Sequence, residues 1–552
     1  MNLTFPLRLR RQLVTALGVT LLLAGCASPP APPPQPTPGE GYKITILHTN
    51  DHHGRFWKNS DGEYGMAALK TVVDRARAEV AAQGGYTLLL SGGDINTGVP
   101  ESDAQDAVPD FKGMNLLRYD AMAVGNHEFD KPFETLQMQR KLAIFPMLSA
   151  NIYEGGKRLF EPYRIFQLGP VRVAVMGLTT EDTAHLARPD NVQRFDFRNP
   201  IGEAALLVPQ LRQEADVVIA TTHMGHYEDG QHGWQAPGDV EMARAVPGLD
   251  LVVGGHSHNA VCMQAANVRE KVHLPGAACT PERQNGTWIV QAENWGKYLG
   301  RADFEYRNGT FTLVNYTLIP INLKEKLKDA EGKRVTRLYQ DEIPEDPAML
   351  ALLKPYQDFG QQKLLVDIGA TDGSFDDEHD FKNQLHPALA QLIVHAMMAH
   401  TRADFAVINT GGIRDSLPGG RITYKDVLKV HPFGNLVTTV DLSGAEVAAY
   451  MAVLRKMTAN SGAYPQYAGI RVTPRDGQAA SLSIGGQPLD PAKTYRLAIS
   501  NFVASGGDGY PKMVNHPRYT ETGFTDAEVL RAYISAHSPV SASQFPPMAA
   551  PQ

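Results

Sequence analysis

Short apolar runs recur between residues 44 and 291, and five of them end just before a residue type that binds metal ions. The runs are Ile44–His48, Thr87–Leu90, Ala121–Val124, Val171–Gly177, Val217–Ala220, Leu251–Val253 and Trp288–Gln291. Their shortness and near-continuous apolarity predict buried parallel strands. Between them, Gly65–Ala82 and Pro200–Glu214 carry apolar residues at helical spacing. Strands alternating with helices predict an α/β layer architecture. The stretch Gly300–Ile319 alternates in twos and predicts antiparallel strands. From Lys324 to Lys363 strand character is lost, and Asp346–Leu364 reads as a helix connecting two domains. The predicted boundaries are 41–340 for the first domain, 341–364 for the linker and 365–552 for a second α/β domain.

The residues after the runs come in a fixed order. Asp51 and His53 follow the first run and Asp94 the second. Asn126-His127-Glu128 follows the third, His223 follows Val217–Ala220, and His256-Ser257-His258 follows Leu251–Val253. Ligands of open α/β sheets bind beyond the carboxyl ends of the strands, so these residues are expected along one edge of one sheet. Together they supply oxygen and nitrogen for two divalent cations. The set resembles the calcineurin-like metallophosphoesterase signature. Two cations about 3.5–4 Å apart clamp phosphate oxygens and generate the nucleophile. Asp94, alone after its strand, is the expected bridge. Asp51, His53 and His258 are assigned to one metal, and Asn126, His223 and His256 to the other. With no thiolate and several imidazoles, the site suits Zn, Mn, Co or Fe. His127 is expected to face substrate, with Asp130 holding one ring nitrogen. Nearby His52, His226 and His232 are read as ordinary structural or solvated residues.

The second domain carries its own motifs. Asn409 and Arg414 lie in a Gly-containing segment, and Arg suits bidentate phosphate recognition. Phe433 and Phe502 sit in loops with Gly and Asn. They are either plugs over a local core or two rings that sandwich a nucleobase. Asp508 could accept from ribose hydroxyls, and Asn435 could contact the base.

Composition narrows the class. The chain has 552 residues, enough for two cores, and a formal net charge of −7 without long single-sign blocks. That balance gives no support to nucleic-acid binding. Arg8, Arg10 and Arg11 precede the short apolar stretch Leu13–Leu23, which ends in Leu-Ala-Gly before Cys26. Residues 1–25 therefore read as a lipoprotein signal peptide, with lipid on Cys26 tying the protein to a bilayer. Ala27 favours the outer membrane as destination. Residues 26–40 are Pro-rich and read as a semi-extended tether. Cys262 and Cys279 remain, either a disulfide in an oxidising compartment or two buried thiols. The disulfide is favoured because the segment between them is polar and loop-like. A monomer is expected.

The stretches LHTNDHHGRFW, LLLSGGDINTGVPESD, GNHEFD, ATTHMGHY, VLKVHPFGN and ASGGDGYP span both domains. On these the chain resembles the secreted bacterial 5′-nucleotidase family, closest to its periplasmic UDP-sugar hydrolase/5′-nucleotidase members. The resemblance implies a four-layer dimetal domain and a C-terminal nucleotide-binding domain joined by a helical linker, with the active site between them. It implies that Arg414 binds phosphate, Phe433 and Phe502 stack the base, Asp508 contacts the ribose, and Cys262 pairs with Cys279. Two departures stand out. His258 replaces a Gln of the close relatives, and the segment His379–His386 has His379, Lys382 and Asn383 where the family carries arginines. The expected activity is metal-dependent hydrolysis of nucleoside 5′-monophosphates and UDP-sugars. The alternatives are a 2′,3′-cyclic-nucleotide phosphodiesterase/3′-nucleotidase and a non-catalytic surface-binding protein.

Overall fold

The structure is a computed structural model that describes residues 34–546, apart from 188, 228–230, 233–235, 329–333, 376–384, 387, 459–460 and 476–477, together with 548 and 549. The signal peptide, Cys26, and His379, Lys382 and Asn383 lie outside the described residues.

The chain builds four strands, Tyr42–Thr49 (β1), Tyr86–Ser91 (β2), Ala121–Ala123 (β3) and Met147–Leu148 (β4), which pair in parallel. It then leaves to form a second sheet from Tyr163–Leu168 (β5), Val171–Thr179 (β6), Val217–His223 (β7), Leu251–Val253 (β8), Glu282–Gln284 (β9) and Thr287–Val290 (β10). It returns through Tyr298–Arg307 (β11) and Thr310–Pro320 (β12), antiparallel strands that extend the first sheet beyond β1. The orders are β12-β11-β1-β2-β3-β4 and β9-β10-β8-β7-β6-β5.

The metal-type residues thus come from two sheets, not from one. Side-chain alternation explains why two sheets form. Val173, Val175, Val217, Ile219, Leu251 and Val253 share a core with Ile44, Leu88 and Leu90 of the first sheet. The intervening Ala174, Met176, Val218, Ala220 and Val252 pack on Leu207, Val208 and Leu211 of a helix. The central strands β7 and β8 are buried on both faces, which is why they read as continuous apolar runs. Met66–Ala82 (α1) buries Leu69, Val72, Val73 and Ala76. After it come Pro100–Asp103 (α2) and Pro200–Glu214 (α3). The layers run helix, sheet, sheet, helix. Near the strand ends the Thr221 hydroxyl donates to Ser91 O at 2.9 Å and the Thr179 hydroxyl to Val124 O at 2.6 Å, tying the sheets together.

Two further points depart from the sequence reading. Lys324–Lys328 and Arg334–Leu338 pair as an antiparallel hairpin where no strand is expected. The end of the Pro-rich tether is docked: Gly39 N donates to the Asn308 side chain at 2.7 Å, and Arg307 donates to Gly39 O at 2.6 Å.

The linker helix Pro347–Leu364 (α4) is capped by Asp346, whose carboxylate accepts from Met349 N. The second domain follows, with Ala388–Thr401 (α5), Phe405–Asn409 (β13), Tyr424–Val430 (α6), Leu436–Ser443 (β14), Pro465–Ala468 (β15), Thr494–Ser500 (β16), Tyr519–Thr525 (β17) and Asp526–His537 (α7). The strands form one mixed sheet in the order β15-β13-β16-β14-β17. Alternation again splits the core: Ala406 and Ile408 pack beneath α5, while Phe405 and Val407 face the opposite side.

Candidate active site

The carboxyl ends of β1, β2, β7 and β8 converge, and the loops beyond them carry the metal-type residues. Asp51, His53, Asp94, His256 and His258 all adopt left-handed backbone angles, with φ between 49° and 74°. Such a conformation costs a non-glycine residue roughly 1–3 kcal/mol. Hydrogen bonds between the loops hold it in place. Asp51 N donates to Gly93 O at 2.9 Å, His53 N to Asp94 O at 3.1 Å and Gly54 N to Ile95 O at 2.8 Å. The buried Glu128 carboxylate accepts from Asp94 N, Ile95 N and Gly125 N at 3.1, 2.8 and 2.7 Å.

The side chains form two adjoining groups. In one, His258 Nε2 lies 3.3 Å from Asp51 Oδ1 and 3.1 Å from His53 Nε2. In the other, His223 Nε2 lies 2.9 Å from Asp94 Oδ2, 3.1 Å from Asn126 Oδ1 and 3.3 Å from His256 Nδ1. Asp94 stands between them, its Oδ2 also 3.9 Å from His53 Nε2.

The donor chemistry tests whether this cluster suits cations. His53 Nδ1 contacts Thr97 O at 2.8 Å, and His223 Nδ1 contacts Gly92 O at 2.7 Å. A carbonyl can only accept, so in the neutral ring each Nδ1 carries the hydrogen and each Nε2 presents its lone pair. The Nε2 atoms point at other lone pairs and at carboxylates, an arrangement that fits a cation. Burial, with His127 adding to it, holds His53 well below its ordinary value and keeps it neutral. Burial opposes charge on His223 too, but Asp94 outweighs it and raises His223 to about 10. That proton occupies the place a cation takes, since metal and proton compete for the same lone pair.

His127 sits beside this cluster. Its Nδ1 lies 2.5 Å from Asp130 Oδ2, and Asp130 also accepts from the Thr97 hydroxyl at 2.6 Å. Burial disfavours its charged form, but Asp130 and Asp94 together raise it above its ordinary value.

The second domain faces the cluster across a cavity of about 1010 Å³. Asp94, Asn126, His127, Asp130, His256 and His258 line one wall; Asn409, Arg414, Phe433, Asn435, Phe502 and Asp508 line the other. The Phe433 ring stacks on His127, with centroids 5.9 Å apart and planes at 14°, and Arg414 Cζ lies 5.7 Å from the Phe433 centroid. Asn409 Nδ2 donates to Asp508 Oδ2 at 2.7 Å. Phe502 is half-buried, and a Cβ on Gly507 would stand 2.5 Å from its ring, so only glycine leaves room for it. Asp51, His53 and His223 lie deeper, beneath the cavity floor. Every metal, catalytic and substrate-binding residue expected from the sequence therefore has a place at this cavity or under it. The sequence reading passed over Asp182, Tyr227 and Lys456, which also line the cavity. Tyr227 ends the stretch ATTHMGHY and Asp182 lies just past the strand that carries Val171–Gly177, but neither is a usual metal ligand at those positions, and Lys456 belongs to no motif. Cys262 and Cys279 are joined as a disulfide, Cα atoms 4.8 Å apart. His226 pairs with Glu282 and lies outside the metal groups.

A two-sheet α/β domain with this donor cluster defines a metallophosphoesterase, and residues 44–260 match the calcineurin-like phosphoesterase family. Residues 368–516 match the 5′-nucleotidase C-terminal domain. The chain belongs to the bacterial 5′-nucleotidase family. It is 54% identical to Protein UshA of Escherichia coli (strain K12), over 92% of this chain and 93% of that one. It is 52% identical to the 5′-nucleotidase of Vibrio cholerae, over 97% of each chain. Among solved structures, the 5′-nucleotidase precursor of Thermus thermophilus superposes with a TM-score of 0.72 at 27% identity, covering 90% of this chain and 97% of that one.

Proposed function

We propose that this chain hydrolyses extracellular nucleotides, taking nucleoside 5′-monophosphates to nucleoside and phosphate, and UDP-sugars to UMP and sugar 1-phosphate. The observation that carries the reading is the shared cavity: a cation-ready cluster on one wall and an Arg, two Phe and a carboxylate on the other. Family membership supports it. Asp51, His53 and His258 would hold one cation and Asn126, His223 and His256 the other, with Asp94 between. The cations supply Lewis acidity toward phosphoryl oxygens and lower the pKa of water. Arg414 grips phosphate, and Phe433 and Phe502 take the base between them. Asp508, oriented by Asn409, accepts from the ribose hydroxyls. His127, its Nδ1 held by Asp130, presents Nε2 as donor to a phosphoryl or leaving-group oxygen. The role in the cell envelope is nucleotide scavenging.

Product analysis tests this directly. UDP-glucose incubated with protein lacking residues 1–26 and with Mn or Zn is expected to give glucose 1-phosphate, uridine and phosphate, and chelation by EDTA is expected to stop the reaction. Intact UDP-glucose alongside cleaved 5′-AMP would remove the sugar-nucleotide half. Cleavage restricted to 2′,3′-cyclic nucleotides would overturn the whole reading.

The envelope location rests on the lipoprotein signal. Among the described residues no helix is long and apolar enough to cross a membrane. Lipid on Cys26, at the end of that signal, is the proposed attachment, and the outer membrane the proposed site. Cys26→Ser is expected to move the protein from the membrane to the soluble fraction of fractionated cells. Unchanged membrane association would sink the proposal.

A further inference from the structure

A buried charge pair crosses between the domains. Glu101, on α2, has a side chain only 1% exposed, and Lys425, on α6, is 20% exposed; the two form an ion pair. Gln357 of the linker helix approaches the same carboxylate at 3.5 Å. The other Glu101 oxygen has no hydrogen-bond partner among the described residues. A carboxylate taken out of water needs a partner to persist, so Glu101 depends on Lys425.

The surroundings are shaped around this carboxylate. The linker helix α4 contains Gly360 in its interior, a residue that weakens helices. A Cβ at Gly360 would stand 2.6 Å from Glu101 Cγ, so the glycine opens the slot in which Glu101 lies. Gln105 adds hydrogen bonds to Glu101 O at 2.7 Å and to Tyr356 O on the linker helix at 3.0 Å.

Each partner leads into the active site. Glu101 follows the segment 96–98, where Asn96 O and Thr97 O contact His53 Nδ1 and the Thr97 hydroxyl binds Asp130. Lys425 is the second residue of α6, whose last residue, Val430, accepts from Arg414 N at 3.0 Å. The next residue, His431, contacts Gly412 O through Nδ1 at 3.1 Å, and Phe433 follows two positions later. One short helix thus connects the ion pair at its start to Arg414 and Phe433 at its end.

We propose that Glu101 and Lys425 are positioning residues: their ion pair fixes α6, and through it Arg414 and Phe433, over the metal centre. They touch no substrate. They set how often the nucleotide clamp stands where the chemistry is. The kinetic arm of the test rests on the nucleotidase reading; the scattering arm does not.

The test compares the wild-type chain with Glu101→Gln, Lys425→Met and Lys425→Arg, all metal-loaded. For 5′-AMP, KM is expected to rise about tenfold or more in Glu101→Gln and Lys425→Met, with kcat within about twofold. Lys425→Arg keeps the charge and is expected to recover most of the loss. Bis(4-nitrophenyl) phosphate, which asks for the metal centre alone, is expected to be cleaved at the wild-type rate by all three. Parallel loss on both substrates would mean that the pair supports the metal centre and would overturn the proposal, as would an unchanged KM. Small-angle X-ray scattering decides independently of activity. Lys425→Met is expected to increase the radius of gyration; an unchanged value would overturn the proposal. Failure of the wild type on 5′-AMP would count against the function instead.

Discussion

Asp94→Asn is expected to lower kcat for 5′-AMP by about 10³-fold or more and to cost the protein at least one bound cation. Asp94 is the carboxylate that stands between both groups of donors, 2.9 Å from His223 Nε2 and 3.9 Å from His53 Nε2. Burial raises its carboxyl, but His223, His127 and His53 outweigh this and hold it well below the usual carboxylate range. Asn keeps the shape and removes the charge. Its amide would also present an N–H where a second acceptor is needed. Elemental analysis of the purified variant beside its kinetics checks both halves. Full metal content with wild-type turnover would refute the bridging role.

His127→Ala is expected to lower kcat by about 10²–10⁴-fold while leaving metal content unchanged. His127 Nδ1 is taken by Asp130 and His127 belongs to neither of the two donor groups assigned above, so their donors remain in the variant. The same substitution removes the surface on which Phe433 stacks, so a smaller rise in KM is expected as well. Loss of metal in this variant would reassign His127 as a ligand, a role its closeness to His53 and Asp94 makes worth excluding.

The strands that carry the site were legible because burial on both faces leaves uninterrupted apolar runs. Leu251–Val253 and Pro200–Glu214 have in the structure the bounds expected from the sequence. What sequence pattern could not show is which runs share a sheet. A buried strand of either sheet looks the same, so one sheet was expected where two face each other. The hairpin Lys324–Lys328 with Arg334–Leu338 escaped for the opposite reason: its strands are rich in Lys and Arg and have no apolar face to betray them. The second domain's motifs were visible, but not that Phe433 reaches His127, because contacts between domains leave no periodic trace. The left-handed backbones of Asp51, His53, Asp94, His256 and His258 were equally hidden, since none is glycine. Here structure built around function overrides local preference.

The cavity joins two walls made by separate stretches of chain, and this bears on how such proteins diversify. On the proposed function, bond cleavage belongs to one wall and molecular recognition to the other. On that reading a substitution around Asn409 or Asp508 would alter which molecule is held and leave the metal-type residues of the opposite wall in place, whereas one at Phe433 would also remove its stack on His127. Descendants of this scaffold can therefore exchange diets while inheriting the same chemistry. Drift is constrained chiefly at the seam, where the two walls must still meet in register.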